Sequence, residues 1–343
     1  MPATKAKAGR GGARRSMNIL LTCVGRRVEL IRAFRRAADS LHIDLAVHGA
    51  DASRLSPAQH HVDRAHLAPT VASGDYVDAL CRLVRRHSID LLIPLIDSEL
   101  APIANAVERF ADVGCFAAIS SPGVIATCRD KLATYQALRD AGIDTPKTWT
   151  LADALARDRH RFPYFLKPRS GSAAMGNHVV TDLDELRVLG RRVPDAIVQE
   201  FVEGTEHTLD VYTGLDGVPR CVVPRRRLEV RGGEVSKGIV VKDRAIMAIG
   251  RRVAEVLGDC RGVITVQCIV TPAGRIRVIE INPRFGGGVT LAIHAGADFP
   301  QWILMECLGA RPRINPTGFR AGVAMLRFDD SVFVSNAARW CRD

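Results

Sequence analysis

Val278-Ile279-Glu280-Ile281-Asn282-Pro283-Arg284-Phe285-Gly286-Gly287-Gly288 is the stretch on which the fold of this 343-residue chain turns. Its alternation predicts a strand, with Ile279 and Ile281 on an apolar face and Glu280 and Asn282 together on the other. Two oxygen donors side by side on rigid backbone suit a hard cation such as Mg²⁺, which shares its octahedral shell with substrate phosphates. Residues 264–270 read as a preceding strand, and Thr271-Pro272-Ala273-Gly274 as the turn of a hairpin. That hairpin places Gln267 opposite Glu280 as a third oxygen ligand. Arg284 lies two residues past Asn282, where it can stabilise charge on a transferring phosphoryl group.

Further upstream runs Phe165-Leu166-Lys167-Pro168-Arg169-Ser170-Gly171-Ser172-Ala173-Ala174-Met175-Gly176. A lysine on an apolar strand is costly unless its ammonium reaches an anion. Ser170, Gly171, Ser172 and Gly176 let backbone N–H groups approach phosphate oxygens closely. The glycine spacing imitates a P-loop, but Asn177-His178 stands where Lys-Ser/Thr is needed and a strand-like run follows instead of a helix. A strand–loop–strand phosphate clamp is therefore expected. Ile197-Val198-Gln199-Glu200-Phe201-Val202-Glu203-Gly204 reads as a strand entering a hinge. Glu200 and the backbone of Phe201 and Val202 can meet an adenine edge, and Glu206 can accept from ribose hydroxyls.

In the first third, apolar runs at 18–24, 45–50, 90–95 and 116–119 alternate with amphipathic stretches at 28–40, 76–87 and 99–110. That rhythm predicts parallel βαβ units. A helix over 130–141 ends at Gly142, and strands dominate 206–283 around a helix at 243–257. The expected class is α/β followed by α+β. The expected units are a disordered basic tail at 1–16, a doubly wound lobe at 17–122, a linker helix and Gly-rich lid at 123–200, and a metal-bearing unit at 201–343.

Composition limits the alternatives. Hydrophobic residues are 47% and charged residues 25%, a globular balance. No apolar run approaches the roughly 20 residues of a membrane span, and the basic start lacks a signal-peptide apolar region. Nine cysteines without a CxxC pair argue for a reducing cytoplasm rather than disulfides or zinc. The net charge is +11, of which Lys5, Lys7, Arg10, Arg14 and Arg15 belong to the tail. Aromatics are only 5% and dispersed, so a polyanionic small molecule explains the remaining bias better than nucleic acid.

The order of these motifs resembles the ATP-grasp superfamily, in particular its carbamoyl-phosphate-synthase-like carboxylate–amine ligases. The similarity covers roughly residues 17–310. It is carried by Arg129-Asp130-Lys131, Gly142-Ile143-Asp144-Thr145-Pro146, Lys167-Pro168 with its loop, Gln199 to Glu206, and Glu280-Ile281-Asn282-Pro283-Arg284. The resemblance implies a pre-ATP-grasp lobe followed by a two-part ATP-grasp module. It implies that Lys131 and Lys167 contact ATP phosphates under the 170–176 loop, that Glu200 and Val202 hold adenine, and that Glu206 holds ribose. It implies Glu280 and Asn282 as Mg²⁺ ligands (Mn²⁺ would fit the same oxygens), Gln267 as an additional ligand, and Arg284 on the phosphoryl group in flight. Many relatives carry a carboxylate at the position of Gln267. The implied chemistry is ATP-dependent activation of a carboxylate as an acyl phosphate, which an amine then displaces. Small-molecule acid and amine partners and a homodimer come with it.

Candidates for the acid and amine are Arg225 and Arg226, on opposite faces of their strand by alternation, Lys237 after the Gly232-Gly233 turn, and Arg26 and Asp97 in loops after strands of the first lobe. Three other readings compete: a bicarbonate-activating enzyme, a nucleotide-binding regulator without turnover, and a nucleic-acid binder led by the basic tail.

Overall fold

The computed structural model describes residues 14–171 and 175–340; the expectations for residues 1–13 and for Ser172 lie outside them. The first lobe contains β1 (Arg15–Thr22), α1 (Val28–Ser40), β2 (Ile43–Asp51), β3 (Arg64–Leu67), α2 (Tyr76–His87), β4 (Leu91–Pro94), α3 (Asp97–Ala104), α4 (Val107–Ala111) and β5 (Phe116–Ala117). Its five strands are parallel in the order β3-β2-β1-β4-β5. Ile19, Leu20 and Leu21 are all buried because helices cover both faces of the sheet. β1 starts at Arg15, two residues inside the stretch expected to be a tail. The single helix expected over 99–110 is two short ones, interrupted at Asn105-Ala106. β3 was not anticipated; it is a short, mostly exposed edge strand without apolar alternation.

The middle unit begins with α5 (Pro122–Arg129) and α6 (Lys131–Asp140). Asp130 caps α6 by accepting from the backbone of Leu132 and Ala133, so Lys131 emerges at the helix start. There follow β6 (Thr148–Thr150), α7 (Leu151–Leu155), β7 (Tyr164–Pro168), β8 (His178–Val180), α8 (Leu183–Arg192) and β9 (Ala196–Glu200). Its four strands form an antiparallel sheet, β6-β9-β7-β8.

The third unit contains β10 (Thr205–Tyr212), β11 (Cys221–Arg231), β12 (Glu234–Val240), α9 (Arg244–Leu257), β13 (Val263–Val270), β14 (Ile276–Asn282), α10 (Val289–His294), α11 (Phe299–Cys307) and β15 (Ala324–Leu326). The sheet is antiparallel in the order β14-β13-β10-β11-β12-β15, and Gln267 pairs with Glu280 across a β-bulge that skips Ile279, which is only partly buried rather than on the apolar face beside Ile281. α9 lies against it through Gly250, where a Cβ would stand 2.7 Å from Val222 and 2.8 Å from Leu209, so only glycine permits that approach.

The third unit is not closed on itself. Val289, Leu291, Phe299 and Ile303 of α10 and α11 join Ile31 and Phe34 of α1 in one buried core. Phe285 meets the edge of Phe34 at 6.2 Å between ring centroids. The segment that carries Arg284 is thereby anchored in the first lobe. Among the described residues no helix is long and apolar enough to cross a membrane.

Candidate active-site cleft

The three units meet around a cleft of about 710 Å³. Its wall includes Lys131, Lys167, Gly171, Glu200, Phe201, Val202, Glu206, Gln267, Glu280, Asn282 and Arg284, and also Asp97 and Arg225. Residues from 97 to 284 thus converge on one space. Ser170 and Gly176 lie in the neighbouring loop but off the wall, which Met175 and Asn177 reach instead.

Lys167 sits on β7, is 5% exposed, and donates to Gln199 Oε1 at 3.0 Å. Burial pulls its ammonium down to about 8; Glu280 opposes that fall and Lys131 adds to it. Lys131 reaches over from the start of α6 to the carbonyl of Gly171 at 3.2 Å, and burial lowers its ammonium too. Two partly desolvated ammonium groups beside one carboxylate favour a polyanion, because each regains its ordinary basicity when phosphate oxygens arrive.

Glu280 and Asn282 project from β14 toward these lysines. In the amide orientation that satisfies both its ends, Gln267 donates to Glu280 Oε2 at 2.8 Å and accepts from Arg227 Nη1 at 3.2 Å. Gln267 therefore positions Glu280 here and would have to rotate to offer its oxygen to a metal, which revises its expected role. Among the described residues, no group of three or more His, Cys, Asp or Glu forms a self-contained metal cage. One carboxylate, one amide oxygen and an open cleft fit Mg²⁺, which takes its remaining ligands from phosphates and water.

Arg284 is fully engaged. Its Nε and Nη2 donate to Asp97 at 2.9 and 2.5 Å, and its Nη1 donates to the carbonyl of Phe285 at 3.1 Å. Asp97, at the start of α3, ties the first lobe to the strand that bears Glu280. Behind it, Glu99 is wholly buried and accepts from Tyr76 Oη and from the backbone of Leu95 and Ile96, which fixes that loop.

Arg225 and Asp210 form a bidentate pair at 2.5 and 2.9 Å, and both are essentially without solvent contact. The remaining Nη1 of Arg225 is buried with no partner. A Cβ on Gly288 would stand 2.4 Å from Val235 and 2.6 Å from that nitrogen, so at Gly288 the chain passes directly over the ion pair where only glycine fits.

Three expected substrate contacts are not in the cleft. Strand alternation carries Arg225 and Arg227 inward and leaves Arg226 exposed on the opposite face. Lys237 is half exposed and pairs with Glu229 at 2.6 Å. Arg26 points to solvent, 83% exposed.

Residues 128–288 match the ATP-grasp domain, and residues 19–118 match the PylC-like N-terminal domain. The chain carries an ATP-grasp domain. A 3-methyl-D-ornithine–L-lysine ligase of Methanosarcina acetivorans is 29% identical over 168 residues, covering 48% of this chain and 42% of that protein. The carbamoyl phosphate synthase large chain of Rubrobacter xylanophilus is 26% identical over 261 residues, covering 66% of this chain and 24% of that protein. The chain thus spans less than half the length of these curated relatives. Among solved structures, an L-amino acid ligase from Bacillus licheniformis superimposes with a TM-score of 0.67 at 21% identity, over 87% of this chain and 75% of that one, which shows a shared fold.

The hinge end of the ATP-grasp cleft differs in detail from the sequence expectation. Glu200 Oε2 accepts from Arg277 at 2.9 Å and from the backbone of Lys147 at 3.3 Å, and Arg277 foremost holds it below the usual carboxylate range. One oxygen of its carboxylate is thus tied down beside the Phe201–Val202 backbone. Glu206 is pushed up by burial against the pull of Arg227, which it contacts at 2.5 Å. The wall also holds Glu234, which sequence reasoning missed, and Arg27, from the Gly25-Arg26-Arg27 loop out of which Arg26 was chosen. Arg27 adjoins the Arg26 that was chosen; the positive φ of Gly25, +46°, turns the loop so that the second arginine faces inward.

Proposed function

We propose that this ATP-grasp chain is an ADP-forming ligase that joins a small-molecule carboxylic acid to an amine. The observation that supports it most is the convergence of Lys131, Lys167, Glu280, Asn282 and Arg284 on one cleft. Lys131 and Lys167 hold the triphosphate tail, and the Gly171 loop lies over it. Glu280 and Asn282 would hold Mg²⁺, which supplies charge neutralisation between the phosphates and the incoming acid. The protein's share of the work is positional: it brings two anions together and excludes water. The substrate carboxylate attacks the γ-phosphorus, ADP leaves, and the amine then displaces phosphate from the acyl phosphate. Arg284, held by Asp97, lies where the transferring charge develops. The relatives named above as ligases agree with this reading. A reducing, cytoplasmic location agrees with the eight free cysteines of the described residues, and a dimer is the family's expectation.

The test is ADP release with Mg²⁺ across a panel of acids and amines, using acid labelled with ¹⁸O in its carboxylate. We expect release that needs both partners, with one labelled oxygen recovered in the phosphate. Release with bicarbonate alone would favour the carboxylase reading, and no release with any acceptor would favour a non-catalytic regulator.

A further inference from the structure

The acid-and-amine half of the cleft is lined by Arg27, Arg225 and Arg284 and by Asp97 and Glu234. Arg284 is paired with Asp97, Arg225 with Asp210, and Arg327 with Glu234 at 3.0 Å. The exposed Arg26 reaches Glu234 only at 3.9 Å. The Arg27 side chain makes no hydrogen bond or ion pair among the described residues, although it is partly buried and lines the cleft. Burial first, and the Arg284 guanidinium next, lower it to about 10, with Glu234 and Asp97 opposing and Arg327 adding to the fall. A partly desolvated guanidinium with no protein acceptor is costly, and the nearby carboxylates are already claimed.

Position separates this charge from the nucleotide. Lys131, Lys167 and Glu280 are one another's electrostatic neighbours, and those of Arg27 are Arg284, Glu234, Arg327 and Asp97, of which Asp97 alone also acts on Lys131. Arg27 follows β1 at the carboxyl end of the parallel sheet and directly precedes α1, whose positive end lies behind it. The chemistry it lacks is an anion, and a planar guanidinium matches a carboxylate bidentately.

We propose that Arg27 anchors a carboxylate the reaction does not consume, so that one substrate carries a carboxylate beyond the one that is activated. Its source is either an amino-acid acceptor, through the α-carboxylate, or a dicarboxylic donor. This assignment rests on the ligase reading and deepens it. Arg27 is a specificity-determining residue: it selects which molecule sits beside Arg284 and takes no part in the phosphoryl step.

The experiment is calorimetric titration of the full chain saturated with Mg²⁺ and a non-hydrolysable ATP analogue. The probes are the common L-amino acids, each against its carboxamide, and succinate and glutarate, each against its monoamide. We expect at least one acid to bind about 10- to 100-fold more tightly than its amide. That advantage should vanish in Arg27→Gln and persist in part in Arg27→Lys, with melting temperature and analogue affinity showing that both variants fold. An advantage confined to amino acids identifies the acceptor, and one confined to diacids identifies the donor. Equal binding of acids and amides by the native chain, or an advantage that survives Arg27→Gln, would overturn the assignment. Failure of the analogue itself to bind would count against the ligase reading instead, and the same acid–amide comparison on the nucleotide-free chain then decides the role of Arg27.

Discussion

Glu280→Ala is expected to lower acid-dependent ADP release by about a thousandfold or more, a loss typical of removing a group that stabilises developing charge. Glu280 is the one carboxylate among the expected metal ligands, and it faces both Lys167 and Lys131. Its removal takes away the charge that anchors a divalent cation and leaves two lysines to repel each other. The fold should survive, because Glu280 stands on the cleft side of β14 while Val278 and Ile281 fill the core behind it. Steady-state rates over a range of Mg²⁺ concentrations read this directly. The variant should stay inactive at saturating metal while its melting temperature stays within about 2 °C of the native chain, the range expected of a substitution away from the core. Activity restored in full by more metal would move the anchoring role elsewhere.

Asp210→Ala is expected to be the most destabilising change in the cleft. It strands the Arg225 guanidinium, which is 1% exposed and already has one nitrogen without a partner. Breaking a buried pair from one side costs about 3–5 kcal/mol, and for a chain of this size that lowers Tm by roughly 10 °C. Replacing both partners by apolar residues of similar size, as in Asp210→Leu with Arg225→Met, should cost less than the single change, because no charge is left uncompensated. Calorimetric melting of the three proteins distinguishes the cases. A single variant that melts with the native chain would mean that water reaches Arg225, contrary to its burial.

The hairpin was legible because alternation and turn chemistry act locally. The Pro-Ala-Gly turn marked the hairpin, but Glu280 comes opposite Gln267 through a β-bulge at Ile279, which a strict period of two does not foresee. The same period separated Arg225 and Arg227 from Arg226. What the sequence concealed lies in partners far apart along the chain. Asp97 and Arg284 are separated by 187 positions, and nothing local marks either as the other's counter-ion. The amide of Gln267 is another case: its residue type suits a ligand, but Arg227 holds its oxygen, and that arginine arrives from β11. Arg26 and Arg27 are alike in sequence, and only the folded loop, with Gly25 at positive φ, shows which of them faces the cleft. The helices α10 and α11 packing on α1 likewise depend on a tertiary core that periodicity cannot assign to one unit or another.

In the proposed function, buried ammonium groups and the β14 oxygens grip a magnesium-bound triphosphate. Lys167 makes it testable without knowing the acid or the amine. Its ammonium lies near 8 in the empty cleft, below its ordinary 10.5, so above pH 8 the free chain has lost that proton and must regain it to bind a polyanion. Calorimetric titration with a non-hydrolysable ATP analogue and Mg²⁺, in buffers of different ionisation enthalpy, should show little proton uptake at pH 7. At pH 9 it should show up to about one proton taken up, with affinity about tenfold weaker. No binding at either pH, or binding at pH 9 that takes up no proton, would contradict the account.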